Sequence, residues 1–200
     1  MNNFKTIQVG MLEVNCYLVP IKAKNRLYII DPGSEAETII EAVKEFACDN
    51  YVILLTHAHV DHISAVGYVA KALNAPVVLD KNDCDLYNSP NNALPPFISA
   101  AKDLPATIEN IADADFEIIR TPGHTTGGVC YYFKTLPALF SGDTLFAQSV
   151  GRTDLPGGDH QVLIDSINSQ LMVLPEDLSV YAGHGPATTI GNEKQHNPYL

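Results

Sequence analysis

The stretch Thr56-His57-Ala58-His59-Val60-Asp61-His62 decides how this chain is read. It sets three histidines and an aspartate within six positions. Imidazoles and a carboxylate packed that closely make poor core and poor surface decoration. They are good ligands for a borderline metal such as zinc, which takes nitrogen and carboxylate oxygen readily. His57 and His59 are two apart, so on an extended stretch they point the same way. Asp61 and His62 are adjacent and can serve a second position beside the first. The apolar run Tyr51-Val52-Ile53-Leu54-Leu55 ahead of them reads as a buried strand. A strand thus delivers a metal loop at its C-terminal end, where open α/β sheets place their ligands.

Further candidate ligands lie downstream. The chain has seven histidines, and two more stand in tight glycine-marked contexts: Thr121-Pro122-Gly123-His124-Thr125 and Ala182-Gly183-His184-Gly185-Pro186. An aspartate ends the apolar run Ala138-Leu139-Phe140-Ser141-Gly142-Asp143. Glycine and proline beside each candidate indicate sharp turns that aim one side chain. Two metals need roughly seven protein ligands if one ligand bridges. His57, His59, Asp61, His62, His124, Asp143 and His184 supply that number. His160 and His196 match no such position. Asp31, before Pro32-Gly33, is a turn residue or a partner that orients a ligating histidine, and the second reading is favoured.

These pieces resemble the metallo-β-lactamase-fold hydrolases, within them the small one-domain glyoxalase II-like (hydroxyacylglutathione hydrolase-like) branch. The resemblance rests on Asn15-Cys16-Tyr17-Leu18, Asp31-Pro32-Gly33, the histidine motif, Thr121-Pro122-Gly123-His124-Thr125, Ser141-Gly142-Asp143-Thr144-Leu145-Phe146 and Gly183-His184-Gly185-Pro186, spread in family order. It implies an α/β fold, the αββα sandwich with two mixed β-sheets flanked by helices, as a single domain over residues 1–200. It also implies a binuclear site. His57, His59 and His124 would hold one metal, Asp61, His62 and His184 the other, and Asp143 would bridge them. Zinc is the first choice of metal, with iron or manganese as other occupants.

Composition sets outer limits. The chain has 200 residues, enough for one domain with a real core. Its 46% hydrophobic and 18% charged content is ordinary for a globular enzyme. No apolar run approaches the length of a membrane span, and Met1-Asn2-Asn3-Phe4-Lys5 lacks a secretory pattern, so a cytoplasmic location is expected. Cys16, Cys48, Cys84 and Cys130 form no CxxC pair and read as reduced thiols. A net charge of −11 argues against nucleic acid as partner. It does not veto an anionic ligand, because two divalent metals cancel part of it locally.

Periodicity predicts strands at 4–10, 15–21 and 26–30, and a helix from an N-cap at Ser34 to about Ala47. The strand 51–55 comes next, then a helix from Ile63 to about Leu73 and a short strand at 76–79. A second sheet is predicted from 116–120, 129–133 and 138–140. A helix over 161–170 and a strand over 178–181, which delivers His184, complete the set. The segment 81–105 is interrupted by Asn88-Ser89-Pro90-Asn91-Asn92 and Pro95-Pro96. It is a surface loop or a flap over the metal site.

The chemistry the resemblance implies is hydrolysis of a thioester, such as S-lactoylglutathione or a related hydroxyacyl thioester, by a metal-bridging hydroxide. Asp61 would be a metal ligand and also the catalytic partner that holds the remaining proton of that nucleophile. The substrate would be a small-molecule acyl thioester, with a glutathione conjugate as one form. Arg152 could grip a substrate carboxylate with two parallel hydrogen bonds, or pair with Asp154 or Asp159. Glyoxalase II proper carries a lysine and, two positions on, a tyrosine in this loop, where this chain has Arg152 and Asp154. A C-terminal helical glutathione-binding domain is not expected after His184. Three other readings remain: a mononuclear iron persulfide dioxygenase, which Gly151-Arg152-Thr153-Asp154 also resembles, a β-lactam hydrolase, and a non-catalytic metal-binding module.

Overall fold

The computed structural model describes residues 4–200, which divide into two compact units with the boundary between Ala112 and Asp113. Strands in the first unit are β1 (Lys5–Val9), β2 (Val14–Ile21), β3 (Arg26–Ile30), β4 (Asn50–Leu54), β5 (Val77–Val78) and β6 (Thr107–Ile108). They form one sheet in sequence order. β1, β2 and β3 pair antiparallel, and β3 to β6 pair parallel. Parallel neighbours need crossovers. α1 (Ala36–Val43) joins β3 to β4, and α2 (Val60–Ile63) with α3 (Val66–Leu73) joins β4 to β5. α1 buries Ala36, Ile39, Ala42 and Val43, one stripe at helical spacing, and α3 buries Val66, Val69 and Ala70. A short helix, α4 (Cys84–Tyr87), follows β5.

Three boundaries differ from the sequence reading. Ser34 does not cap α1. The N-cap is Glu35, in a left-handed conformation and without a side-chain cap, because its carboxylate instead accepts the Gly10 amide at 3.0 Å. α1 also stops at Val43, and the chain tightens into successive turns up to Phe46. The helix expected from Ile63 starts at Val60, so Asp61 and His62 stand in its first turn. It breaks at Ala65, whose amide donates to the Pro32 carbonyl at 3.1 Å.

In the second unit, β7 (Glu117–Arg120), β8 (Val129–Phe133), β9 (Ala138–Gly142), β12 (Ser179–Ala182) and β13 (Thr188–Thr189) form a sheet ordered β13-β12-β9-β8-β7. All its pairs are antiparallel except β9 with β12. Each of the two main sheets is therefore mixed and accompanied by helices. A two-stranded hairpin, β10 (Leu145–Phe146) and β11 (Ser149–Val150), follows β9. α5 (His160–Ser166) is capped by Asp159, whose side chain accepts the Val162 amide, and widens into a π turn over Ile167–Leu171. α6 (Ile190–His196) closes the chain. Its Glu193 accepts the Gln148 amide at 2.8 Å, and Asn197 donates to the Ser149 carbonyl at 3.0 Å, which ties the tail to the hairpin. Phe116 packs edge to face on Tyr131 and Phe133 on Phe140, with a tilted Phe116–Phe133 contact between them, rings 5.1–5.6 Å apart. Among the described residues no helix is long and apolar enough to cross a membrane.

Candidate metal centre

The first unit brings His57, His59, Asp61 and His62 together at the C-terminal end of β4. β3 is its parallel neighbour, so the residue after β3, Asp31, emerges alongside, its amide donating to the Leu54 carbonyl at 3.0 Å. Asp31 has φ +50, a left-handed conformation that aspartate tolerates better than most residues. Its carboxylate is buried and accepts from the Thr56 amide at 2.8 Å, the Thr56 hydroxyl at 2.6 Å and His62 Nδ1 at 3.0 Å.

Those bonds assign tautomers. His62 donates its Nδ1 proton to Asp31, which makes Nε2 the lone-pair nitrogen. The Thr56 hydroxyl gives its one proton to Asp31, so at 3.1 Å it accepts from His57 Nδ1. His57 Nε2 is then the lone-pair nitrogen as well. One buried carboxylate orients two histidines, one directly and one through a hydroxyl, as partners of metal-ligating histidines do. The His57 ring lies 4.9 Å from that of His59 and 4.2 Å from that of His62. His62 Nε2 faces Asp61 Oδ2 at 3.8 Å. Asp31, His57 and His62 also form a compact donor group, but Asp31's hydrogen bonds mark it as a support and not a ligand.

Two residues to which the sequence reading assigned no role at the site hold the loop. The Ala58 amide donates to buried Asp83 at 2.9 Å, and Asn92 donates to the Ala58 carbonyl at 2.6 Å. Both come from the irregular segment 81–105, which is fastened at this end to the peptide between His57 and His59. Nothing in the composition of Lys81-Asn82-Asp83 or Asn91-Asn92 sets these two apart from ordinary turn residues. Gly33 allows the Asp31-Pro32-Gly33 turn to pass against the motif. A Cβ there would come within 1.8 Å of the Asp61 carbonyl oxygen.

In the second unit, His124 follows β7, Asp143 follows β9 and His184 follows β12, all beyond the C-terminal ends of like-directed strands. β9 and β12 are parallel neighbours, and the Gly183 amide donates to the Gly142 carbonyl at 2.8 Å, so Asp143 and His184 emerge together. His124 donates from Nδ1 to the Arg152 backbone carbonyl at 2.7 Å, leaving Nε2 as its lone-pair nitrogen. Asp143 Oδ2 stands 3.7 Å from His124 Nε2 and 3.6 Å from His184 Nε2. These separations are too long for hydrogen bonds. Two ligands about 2.0–2.1 Å from one tetrahedral ion stand roughly 3.4 Å apart, so the spacing suits donors sharing an ion. His160 and His196 are exposed; His196 bonds its own helix through Asn192.

Arg152 lies exposed in the loop that carries this carbonyl. Its guanidinium holds Asp154 by two bonds of 2.7 Å, the pairing that competes with a substrate grip. That contact holds the Asp154 carboxyl down to about 2. Asp159 instead caps α5. The fully buried thiols Cys130 and Cys16 are poor nucleophiles: burial pushes Cys130 up to about 11 against hydrogen bonds from Thr121 and Thr144, and burial, with the Asp31 charge, pushes Cys16 higher still.

Strand-end imidazoles whose Nδ1 protons are already engaged, set beside carboxylates at ligand spacing, fit divalent metal ions. The chain belongs to the metallo-β-lactamase superfamily, a family of metallo-hydrolases, whose family model matches residues 9–184. It is similar to the hydroxyacylglutathione hydrolase GloC of Haemophilus influenzae, at 36% identity over 99% of this chain and 98% of the relative. Among solved structures it is similar to the B3 metallo-β-lactamase BLEG-1, with TM-score 0.86 and 40% identity over 98% of this chain and 99% of that one. It is also similar to TTHA1623, solved in a di-iron-bound form, with TM-score 0.85 and 36% identity over 98% of this chain and 100% of that one.

Proposed function

We propose that this protein is a binuclear metallo-hydrolase that cleaves small acyl thioesters. His57, His59 and His124 would hold one metal, Asp61, His62 and His184 the second, and Asp143 would bridge. The observation that carries the binuclear reading is Asp143 Oδ2. It faces His124 Nε2 and His184 Nε2 at 3.7 and 3.6 Å, and the two histidines are assigned to different metals. The thioester reading draws on the full-length similarity to GloC. The similarity to BLEG-1 makes β-lactam hydrolysis the second reading. A bridging carboxylate together with the Asp61-His62 pair favours the thioester.

When bound, the metal pair supplies a water acidic enough to ionise near neutral pH and a Lewis acid for the substrate carbonyl. Asp61, half-buried in the first turn of α2, would accept a hydrogen bond from the remaining proton of the nucleophilic hydroxide. Asp31 keeps His62 in the Nδ1–H tautomer, and through Thr56 it keeps His57 in the same form. No side chain need attack, and the buried thiols are in no state to do so.

Native purification followed by elemental analysis tests the site, with two metals per chain expected; one at most under metal-replete conditions moves the reading to mononuclear iron. Activity is tested on S-lactoylglutathione, a neutral thioester, a chromogenic cephalosporin and, by oxygen uptake, glutathione persulfide. Hydrolysis of both thioesters is expected. Turnover of the cephalosporin alone, or oxygen uptake alone, overturns the thioester assignment. Inactivity on all four points to the metal-binding module.

A further inference from the structure

Three large hydrophobic side chains in the first unit remain exposed around one cleft. Met11 and Leu12, in the turn between β1 and β2, are 58% and 42% exposed, and Phe97 is 66% exposed. The cleft has a volume of about 350 Å³ and is lined by these three, by Ile98 and by the buried pair Val9 and Val14. Asp61 also lines it, so the cleft opens on the metal motif.

Phe97 and Ile98 belong to a small hairpin. Leu94 and Ile98 exchange backbone hydrogen bonds at 2.8 and 2.9 Å, and the Phe97 amide donates to Leu94 at 2.8 Å. Two residues before this hairpin, Asn92 is bonded to the Ala58 carbonyl of the metal loop. The apolar wall is therefore registered to the ligands by a short chain of contacts. Water-exposed apolar side chains grouped around a concavity are the usual mark of a small-molecule site.

The charge of the lining narrows what fits. Among the described residues no basic side chain lines the cleft; Ser34 and Ser64 add only hydroxyls, and the Asp61 carboxylate is committed to the proposed metal. An anionic thiol tail finds no counter-charge there. An uncharged apolar group gains by leaving water. We propose that this cleft seats the acyl portion of the substrate, and that the preferred thioester carries an apolar acyl group larger than lactoyl. This inference deepens the hydrolase reading above and rests on it.

The test uses a series of thioesters sharing one uncharged thiol, N-acetylcysteamine, with acetyl, butanoyl, hexanoyl and phenylacetyl groups. Wild-type kcat/KM should rise from acetyl to hexanoyl. Phe97→Ala should lower kcat/KM for the hexanoyl substrate about tenfold, chiefly through KM, while changing the acetyl substrate less than about twofold. Met11→Ala should act in the same direction with smaller effect, and Phe97→Leu should restore most of the loss. An equal loss on both substrates, or no chain-length preference in the wild type, overturns the proposal.

Calorimetric binding of S-hexyl-N-acetylcysteamine, a thioether that cannot be hydrolysed, to the metal-loaded protein separates the two readings. If no thioester is cleaved but the thioether binds and Phe97→Ala weakens it, the cleft stands and the hydrolase reading fails. If thioesters are cleaved without acyl preference and the thioether does not bind, the cleft fails and the hydrolase reading stands.

Discussion

His62 leans on a buried carboxylate, Asp31, whereas His124 leans on a backbone carbonyl, that of Arg152. The contrast extends through each unit. In the first, four candidate ligands sit in one short run, and side chains fix it: Asp31 and Thr56 from below, Asp83 and Asn92 at the Ala58 peptide. In the second, three candidate ligands come one at a time from three strand ends, and the main chain aligns them. Gly183 bonds Gly142, and a Cβ on Gly151 would lie 1.9 Å from the Asp143 carbonyl oxygen. A local cluster needs added side chains to aim each ring. A distributed set inherits its aim from sheet geometry.

That contrast can be broken by mutation. The largest effect is expected at Asp61, where two roles coincide. Asp61→Ala should lower kcat by about 10²–10³-fold, read by steady-state kinetics beside elemental analysis. Turnover at the wild-type level with a full metal complement removes the role assigned to it. Next, Gly151→Ala should destabilise the protein by about 3 kcal/mol, because the neighbour it would strike is backbone and cannot rotate away. A denaturant midpoint unchanged from wild type would mean that the Asp143 turn can shift.

The paired variants Asp31→Ala and Arg152→Ala sharpen the comparison most directly. Asp31→Ala should weaken metal binding by about 10–100-fold, measured by chelator competition. Arg152→Ala should leave it unchanged, since His124 uses only the main chain of that residue. Equal losses in the two variants would erase the distinction between the units.

The smallest effect concerns pH. Burial pushes the Glu193 carboxyl up, but hydrogen bonds from Thr188, Asn192, the Gln148 amide and Asn197 outweigh it and hold it below its ordinary 4.5. A depressed folded-state pKa stabilises at pH above the unfolded value and loses that contribution as pH falls through the folded value. Melting curves should therefore show Glu193→Gln losing stability relative to wild type at pH 7, with the gap narrowing below pH 4.5.

Much of this was legible in the sequence, for physical reasons that differ by region. The apolar runs of β3, β4, β8 and β9 are buried and continuous, so they read as strands, and the candidate ligands follow strand ends that turn residues mark. Asp31 was read as either a turn residue or an orienting partner, and the structure joins its carboxylate to His62 Nδ1. Ser34 misled, because cap propensity is local while Glu35 was drawn to an amide 25 residues away. The two-residue strands β10, β11 and β13 carry no periodicity at all, and α6 has one buried apolar residue, Ile190, so pairing within the unit and not propensity creates them. Asp83 and Asn92 act through one distant peptide, and no local pattern encodes that.

The way His124 is held leaves one position with unusual evolutionary latitude. Residue 152 contributes its carbonyl to the candidate centre, while its side chain points to solvent and pairs with a neighbour two residues on. Almost any amino acid can supply that carbonyl. The side chain can therefore be exchanged among basic, neutral and aromatic forms without disturbing the histidine beneath it. Position 152 is thus free ground on which the loop can try new partners while the metal chemistry stays intact.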